Sequence, residues 1–321
     1  MDATGIHIPL ADAREIYRLE DVDRAMEENG GAHNEALTAF YERMRHLGGT
    51  RFVVKPSRAE MLDPLYDSCP NFGEVIDDIK RAMALAVSGN EPLSFTPVLL
   101  LGEPGIGKTH FARQLAEAMC TGYQFVSMSS LTAGWVLSGA SSQWQHAKPG
   151  KVAQTLVGGE VANPVMVLDE VDKAGGDSRY DPLGALYELL EHDTARRFRD
   201  EYVDIEMDAS HILWVSTAND ARNIPEPLLN RMNVFEVPRP DADESFQIAC
   251  RLYREAVLSH DWGFPPEPPA TVMDKLAALP PRSQRRALMT AFGNAKLAGR
   301  DTLQAEDLDS RRDSPRRKIG F

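Results

Sequence analysis

Val98-Leu99-Leu100-Leu101-Gly102-Glu103-Pro104-Gly105-Ile106-Gly107-Lys108-Thr109-His110 is the stretch on which the fold turns. Its first four residues form a short apolar run suited to a buried strand, and from His110 to Cys120 apolar residues recur at helical spacing. Between them stands a glycine, four residues, then Gly-Lys-Thr, which is the phosphate-binding pattern in the strand-to-helix context it requires. Small residues let successive backbone N–H groups turn inward on phosphate oxygens, and the start of the helix adds a favourable dipole. Lys108 is then expected to neutralise the β and γ phosphates, and Thr109 to offer its hydroxyl to Mg²⁺. The segment Gly102 to His110 is thus the expected nucleotide-binding element, with Glu103, Pro104, Gly105, Ile106 and Gly107 forming the loop itself.

Further apolar runs lie at Tyr123–Met128, Pro164–Leu168, His211–Thr217 and Asn233–Val237, separated by helical patterns. Such alternation predicts an α/β fold, a parallel sheet wrapped by helices. Asp169 and Glu170 follow the third of the five runs, at the strand end where open α/β sheets bind ligands. An aspartate there can hold Mg²⁺ through water, while the next carboxylate can orient and deprotonate an attacking water. Asn219, at the end of the fourth run, is the expected partner of that water. After Pro238 and Pro240 only helical patterns remain, over 241–261, 270–279 and 283–298, which predicts a small helical domain. Helical spacing also marks Asp12–Glu28 and Asn34–Leu47, a helical N-terminal region, and Phe72–Val87. The expected division is 1–60, 61–239, 240–309, and a basic tail over 310–321.

Composition narrows the function classes. The 321 residues are 43% hydrophobic and 26% charged, with 35 Lys plus Arg against 48 Asp plus Glu and a net charge of −13. A molecule of that charge repels a phosphate backbone unless one face is locally basic, so nucleic-acid binding is disfavoured. Cys69, Cys120 and Cys250 stand far apart, which predicts neither a disulfide framework nor a structural zinc site and fits a reducing cytoplasm. No run of eighteen apolar residues and no signal-like start is present, so a membrane span and export are not expected.

From about Leu62 to Leu308 the chain resembles the AAA+ ATPases, and within them the ATPase part of Lon-type proteases. The residues that carry the resemblance are the phosphate loop, then Gln143-Trp144-Gln145-His146-Ala147-Lys148-Pro149-Gly150-Lys151, then Leu168-Asp169-Glu170-Val171-Asp172-Lys173. Asp181-Pro182 with its Leu- and Glu-rich segment follows, then Phe198 to Asp220 and Ile224 to Met232, in the same order as in that family. The resemblance implies five strands in the order 5-1-4-3-2, a helical lid, and ATP hydrolysis with Mg²⁺ at the subunit interfaces of a ring, usually a hexamer. It assigns Asn219 as sensor 1, Arg231 as the arginine finger, Arg282 as sensor 2, and Trp144 to a pore loop that grips a protein substrate. The last three residues also have plain readings, Arg231 and Arg282 as surface ion pairs and Trp144 as a local packing anchor. The sequence departs from the pattern at Glu103, where proline is common, at Asn230, where aspartate precedes the finger, and at Trp144, where tyrosine is usual. These residues leave no room for a Ser-Lys protease domain, so proteolysis by this chain alone is not expected. A protein unfoldase or remodeller is the leading expectation. A nucleic-acid-dependent loader or helicase and an ATP-switched scaffold are the rivals. The tip Arg316-Arg317-Lys318-Ile319-Gly320-Phe321 could dock a separate peptidase or effector, or be an incidental chain end.

Overall fold

The computed structural model describes residues 10–29, 34–129, 135–141, 144, 147–174 and 183–308. The expected docking tail, residues 310–321, lies outside the described residues. Nine strands occur among the described residues: β1 (Leu10–Glu15), β2 (Thr50–Lys55), β3 (Val98–Leu101), β4 (Tyr123–Ser127), β5 (Val165–Asp169), β6 (Phe198–Arg199), β7 (Glu206–Met207), β8 (Leu213–Ala218) and β9 (Asn233–Glu236). By their contacts the residues divide into two compact units. One contains the chain up to Leu65, Glu74–Gly102 and Lys108–Val237; the other contains Tyr66–Gly73, Glu103–Gly107 and the chain from Pro238 on.

In the first unit, β3, β4, β5, β8 and β9 form one parallel sheet in the spatial order β4-β5-β8-β3-β9. Counted along the chain these five strands read 5-1-4-3-2 from one edge to the other, the expected order. The inner strands form because they are buried on both faces, whereas the edge strands β4 and β9 are partly exposed. Val165, Met166, Val167 and Leu168 are all buried, as is every residue of β8, and each large apolar side chain so covered contributes ~1.5–3 kcal/mol. The register sets Ser127 opposite Asp169 and Leu101 opposite Ala218. The carboxyl ends of β3, β8 and β5 therefore lie side by side, and this edge carries the candidate site.

The N-terminal residues differ from the helical expectation. The helices Leu19–Asn29 and Glu35–Leu47 are present, the second capped by the Asn34 side chain, which accepts the Leu37 N–H at 3.1 Å. Asp12–Glu15, expected as the start of a helix, belongs instead to β1, which pairs antiparallel with β2 from Leu10↔Lys55 to Glu15↔Thr50. Pairing with a distant strand here overrides a local charged pattern that suits a helix. These residues share the core of the sheet unit: Ile16, Tyr17, Leu37, Tyr41 and Met44 cluster with Leu156, Met166 and Tyr202.

Arg51 fastens this region to the sheet unit. It is only 5% exposed, and its guanidinium donates to Leu156 O (2.8 Å) and Val157 O (2.7 Å) near the end of the helix Lys151–Gly158, and to Gly48 O (2.8 Å) and Thr50 O (2.7 Å). A cation is favoured at a helix C-terminus, where carbonyls lack partners. Arg51→Met keeps the bulk but leaves buried acceptors unpaired, each worth about 1–3 kcal/mol. The expected result is a loss of roughly 2–4 kcal/mol in equilibrium denaturation with unchanged denaturant slope. A loss under about 0.5 kcal/mol would mean that water replaces the guanidinium.

The second unit is helical from Pro238 on. Its main helices are Ala242–Ser259, Ala270–Ala277 and Pro281–Leu297, the first opened by a reciprocal cap between Asp241 and Glu244. Phe292 centres their core, with Phe264 at 4.7 Å and Tyr253 at 5.4 Å between ring centroids. In the sheet unit, the Leu- and Glu-rich segment after Pro182 forms two separate helical turns, Leu186–Leu189 and His192–Ala195. No helix among the described residues is long and apolar enough to cross a membrane.

Candidate nucleotide site

Lys108 opens the helix Lys108–Ala118 directly after the phosphate loop and is only 8% exposed. Its Nζ donates to Gly102 O at 2.6 Å and to Asn219 Oδ1 at 3.1 Å. Burial pulls its pKa below the usual lysine value, and the charges of Asp172, Asp169 and Glu170 oppose that shift. Asp169 Oδ1 accepts from two hydroxyls, Thr109 Oγ1 at 2.7 Å and Thr217 Oγ1 at 2.9 Å. Thr217 in turn accepts the Glu170 N–H at 3.0 Å. One hydroxyl thus ties the ends of β5 and β8 together at the two acidic residues.

Glu170 has φ +58° and ψ +50°, a left-handed conformation that a residue with a side chain rarely takes. Such a backbone costs of order 1–3 kcal/mol and persists where the surroundings impose it. Its carboxylate pairs with Lys173, and that hydrogen bond holds its pKa below the ordinary carboxylate value. Asp172 Oδ2 accepts the N–H groups of Asn219 (3.1 Å) and Asp220 (3.2 Å), so it sets the position of Asn219.

In the second unit, Gly105 and Gly107 have φ of +86° and +105°, open only to glycine without strain. A Cβ on Gly105 would lie 3.4 Å from the Cβ of Arg282, so the loop backbone and Arg282 approach closely. Asn71 Nδ2 donates to Pro238 O at 3.0 Å and to Ile106 O at 3.4 Å, pinning the buried Ile106. Glu103, where proline is common, is ion-paired with Arg239, its Oε2 2.8 Å from Arg239 Nε. Pro104 and His110 are exposed.

The structure brings Lys108, Thr109, Asp169 and Asn219 together through hydrogen bonds, with Glu170 adjoining them through Thr217. Arg282 lies against Gly105. Arg231 is held elsewhere: its Nε is 3.0 Å from Glu191 Oε1, its Nη1 donates to Pro227 O at 2.6 Å, and its guanidinium stands 5.8 Å from the Tyr187 ring centroid. Trp144 is 48% exposed and meets Trp135 edge to face at 5.6 Å. Sequence reasoning missed Thr217 and Asp172. A threonine at the end of a largely apolar run was the signal for the first.

The donor set suits a nucleotide with a hard cation. Glycines at 105 and 107 let the loop backbone take positive φ; in the sheet unit a buried lysine follows the loop in the chain, and a hydroxyl and a carboxylate 2.7 Å apart supply oxygen ligands. Residues 98–239 match the profile of the AAA family, the ATPase family associated with various cellular activities. These residues are an AAA ATPase domain. Among proteins similar to the chain carrying this AAA domain is the Lon protease of Halothermothrix orenii, 36% identical over 187 residues, which are 57% of this chain and 24% of that protein. The Lon protease of Lachnoclostridium phytofermentans is 33% identical over 242 residues, 74% of this chain and 29% of that protein. The match to these relatives spans about a quarter of their length and includes the AAA domain. Among solved structures, a point mutant of Thermotoga maritima RuvB aligns with a TM-score of 0.51 at 18% identity, covering 74% of this chain and 67% of that one. The RuvB Holliday junction branch migration motor of the same organism gives 0.50 at 19% identity, covering 74% and 66%. At such identity the likeness is one of fold.

Proposed function

We propose that the chain hydrolyses ATP with Mg²⁺ and works as a ring-forming protein unfoldase or remodeller, related to the Lon ATPase part. The observation that carries the ATPase reading is the meeting of Lys108, Thr109, Asp169 and Asn219 at the carboxyl ends of three adjacent strands. In this reading the Gly102–Gly107 backbone and Lys108 hold the phosphates, and Thr109 with Asp169, the latter through water, hold Mg²⁺. The cation would supply charge neutralisation at the β and γ phosphates. Glu170 takes the proton of the attacking water, Asn219 orients that water, and Arg282 acts on the nucleotide from the lid. Arg231 serves the neighbouring subunit. The functional division we propose is 1–60, 61–239, 240–309 and the tail 310–321, with a cytoplasmic location and a peptidase or effector on the tail.

Protein handling rests on Trp144. Its exposure supports a side chain presented for contact, and an edge-to-face pair such as the one with Trp135 contributes only about 0.5–1.5 kcal/mol beyond its buried area. Trp144→Ala is therefore expected to leave basal ATP turnover within about twofold and the melting temperature within roughly 3 °C, while stimulation by an unfolded protein disappears. A fall in melting temperature of ~10 °C or more, with stimulation intact, would make Trp144 a packing anchor.

A further inference from the structure

The ends of the loop that carries Trp144 meet at one carboxylate. Asp200 is fully buried (0% exposed); its Oδ2 accepts the N–H of Gly150 at 2.7 Å, and its Oδ1 accepts those of Tyr202 (2.9 Å) and Val203 (3.0 Å). Gly150 stands where the loop enters the helix Lys151–Gly158, and Gly139 stands at the loop's other end. Gly139 has φ +81°, and a Cβ there would lie 2.4 Å from Asp200 Oδ1; a Cβ on Gly150 would lie 2.4 Å from Gly139 N and 2.1 Å from Leu137 O. Next to this contact, Glu201 N–H donates to Ser138 O at 2.7 Å and Ala140 N–H to Lys148 O at 3.3 Å. Two glycines and an aspartate thus form a neck.

Carboxylates are rarely buried in this way without a cation. Titratable groups that interact with Asp200 include Glu201, Tyr41 and Tyr202. Burial pushes the Asp200 pKa up to about 6, against the opposing pull of its three backbone hydrogen bonds. Between the ordinary aspartate value of ~3.9 and about 6 the folded chain holds a proton that the unfolded chain releases, so this group's contribution to stability falls as pH rises through that window. A side chain that weakens the fold at neutral pH is accounted for by what it holds. Only a carboxylate offers two acceptor oxygens, one for Gly150 and one for the Tyr202–Val203 turn.

We propose that Asp200 is the positioning residue of the Trp144 loop, a clasp that closes its neck and thereby fixes where Trp144 is presented. The proposal rests on the reading of Trp144 as the substrate contact, and it adds a residue from a different segment to that function. In Asp200→Asn the side-chain amide would set an N–H against the Gly150 or Tyr202–Val203 donors, so the neck opens without loss of volume.

Hydrogen exchange of the full chain tests this, because the Gly150 amide is itself the clasp. In Asp200→Asn, peptides covering 139–150 should exchange at least about tenfold faster, while peptides covering β5 and β8 stay as in the wild type. The concentration of unfolded protein giving half-maximal ATPase stimulation should rise about tenfold, with basal turnover within about twofold. Gly139→Ala, which crowds the same carboxylate, should behave alike. Unchanged exchange at 139–150, or equal acceleration across the sheet, overturns the clasp. Faster loop exchange with undiminished stimulation by substrate leaves the clasp standing and removes Trp144 as the gripping residue.

Discussion

Glu170→Gln is expected to bind ATP within about threefold of the wild type and to turn it over ~10²–10⁴-fold more slowly. The argument starts from the separation of roles at the strand ends. Asp169 is engaged by Thr109 and Thr217, and Lys108 by Gly102 and Asn219, whereas Glu170 makes no hydrogen bond to either of those clusters through its side chain and is paired with Lys173. Replacing its carboxylate by an amide keeps shape and the Thr217 contact, which uses the Glu170 backbone N–H. It removes the carboxylate that we propose accepts a proton from water. Lys108→Ala should give the opposite pattern, because it takes a buried cation away from the phosphate loop and so weakens binding first. Equilibrium binding of a fluorescent ATP analogue and steady-state phosphate release, measured on both variants, separate the two roles. Full turnover by Glu170→Gln would remove Glu170 as the base.

The parts of this site that were legible in the sequence share one physical cause. Strands buried on both faces of a parallel sheet must be nearly continuous apolar runs, and β3, β5 and β8 each leave one. A phosphate loop needs positive φ, so Gly105 and Gly107 are glycine by geometry. Asp169 and Asn219 were visible because they end such runs. The illegible parts depend on pairing across the chain. Asp12–Glu15 carries two acidic residues and an arginine, and nothing local marks it as a strand; β2 imposes that. Thr217, Asp172 and Asp200 are ordinary polar letters in the sequence. Their roles come from backbone N–H groups and hydroxyls that only the fold brings to them, 48 residues away in chain for the Thr217–Asp169 bond and 50 for the Asp200–Gly150 bond. Glu103 is a milder case. It departs from the family pattern, and Arg239 gives it a partner.

Arg231→Ala is expected to lower ATP turnover by about 10³-fold or more if Arg231 acts as an arginine finger on a neighbouring subunit's nucleotide. Within one chain the guanidinium is occupied by Glu191, Pro227 O and the face of Tyr187, away from Lys108 and Asp169. That placement fits a residue whose work lies outside its own subunit, and the ion pair is partly exposed, worth about 0–1 kcal/mol, so exchanging Glu191 for a phosphate costs little. The same small energy sets the rival expectation. If Arg231 is only a surface ion pair, alanine should change stability by under ~1 kcal/mol and turnover by a factor of a few. Mixing decides between them. Arg231→Ala and Glu170→Gln are each expected to be inactive alone, yet randomly mixed rings present an intact Glu170 to an intact Arg231 at about a quarter of their interfaces. Activity of the mixture should then exceed that of either variant by roughly two orders of magnitude. A mixture no more active than its components, or a wild-type chain that is monomeric by sedimentation with ATP at full activity, would show that hydrolysis is completed within one chain and that Arg231 has no part in a neighbour's site.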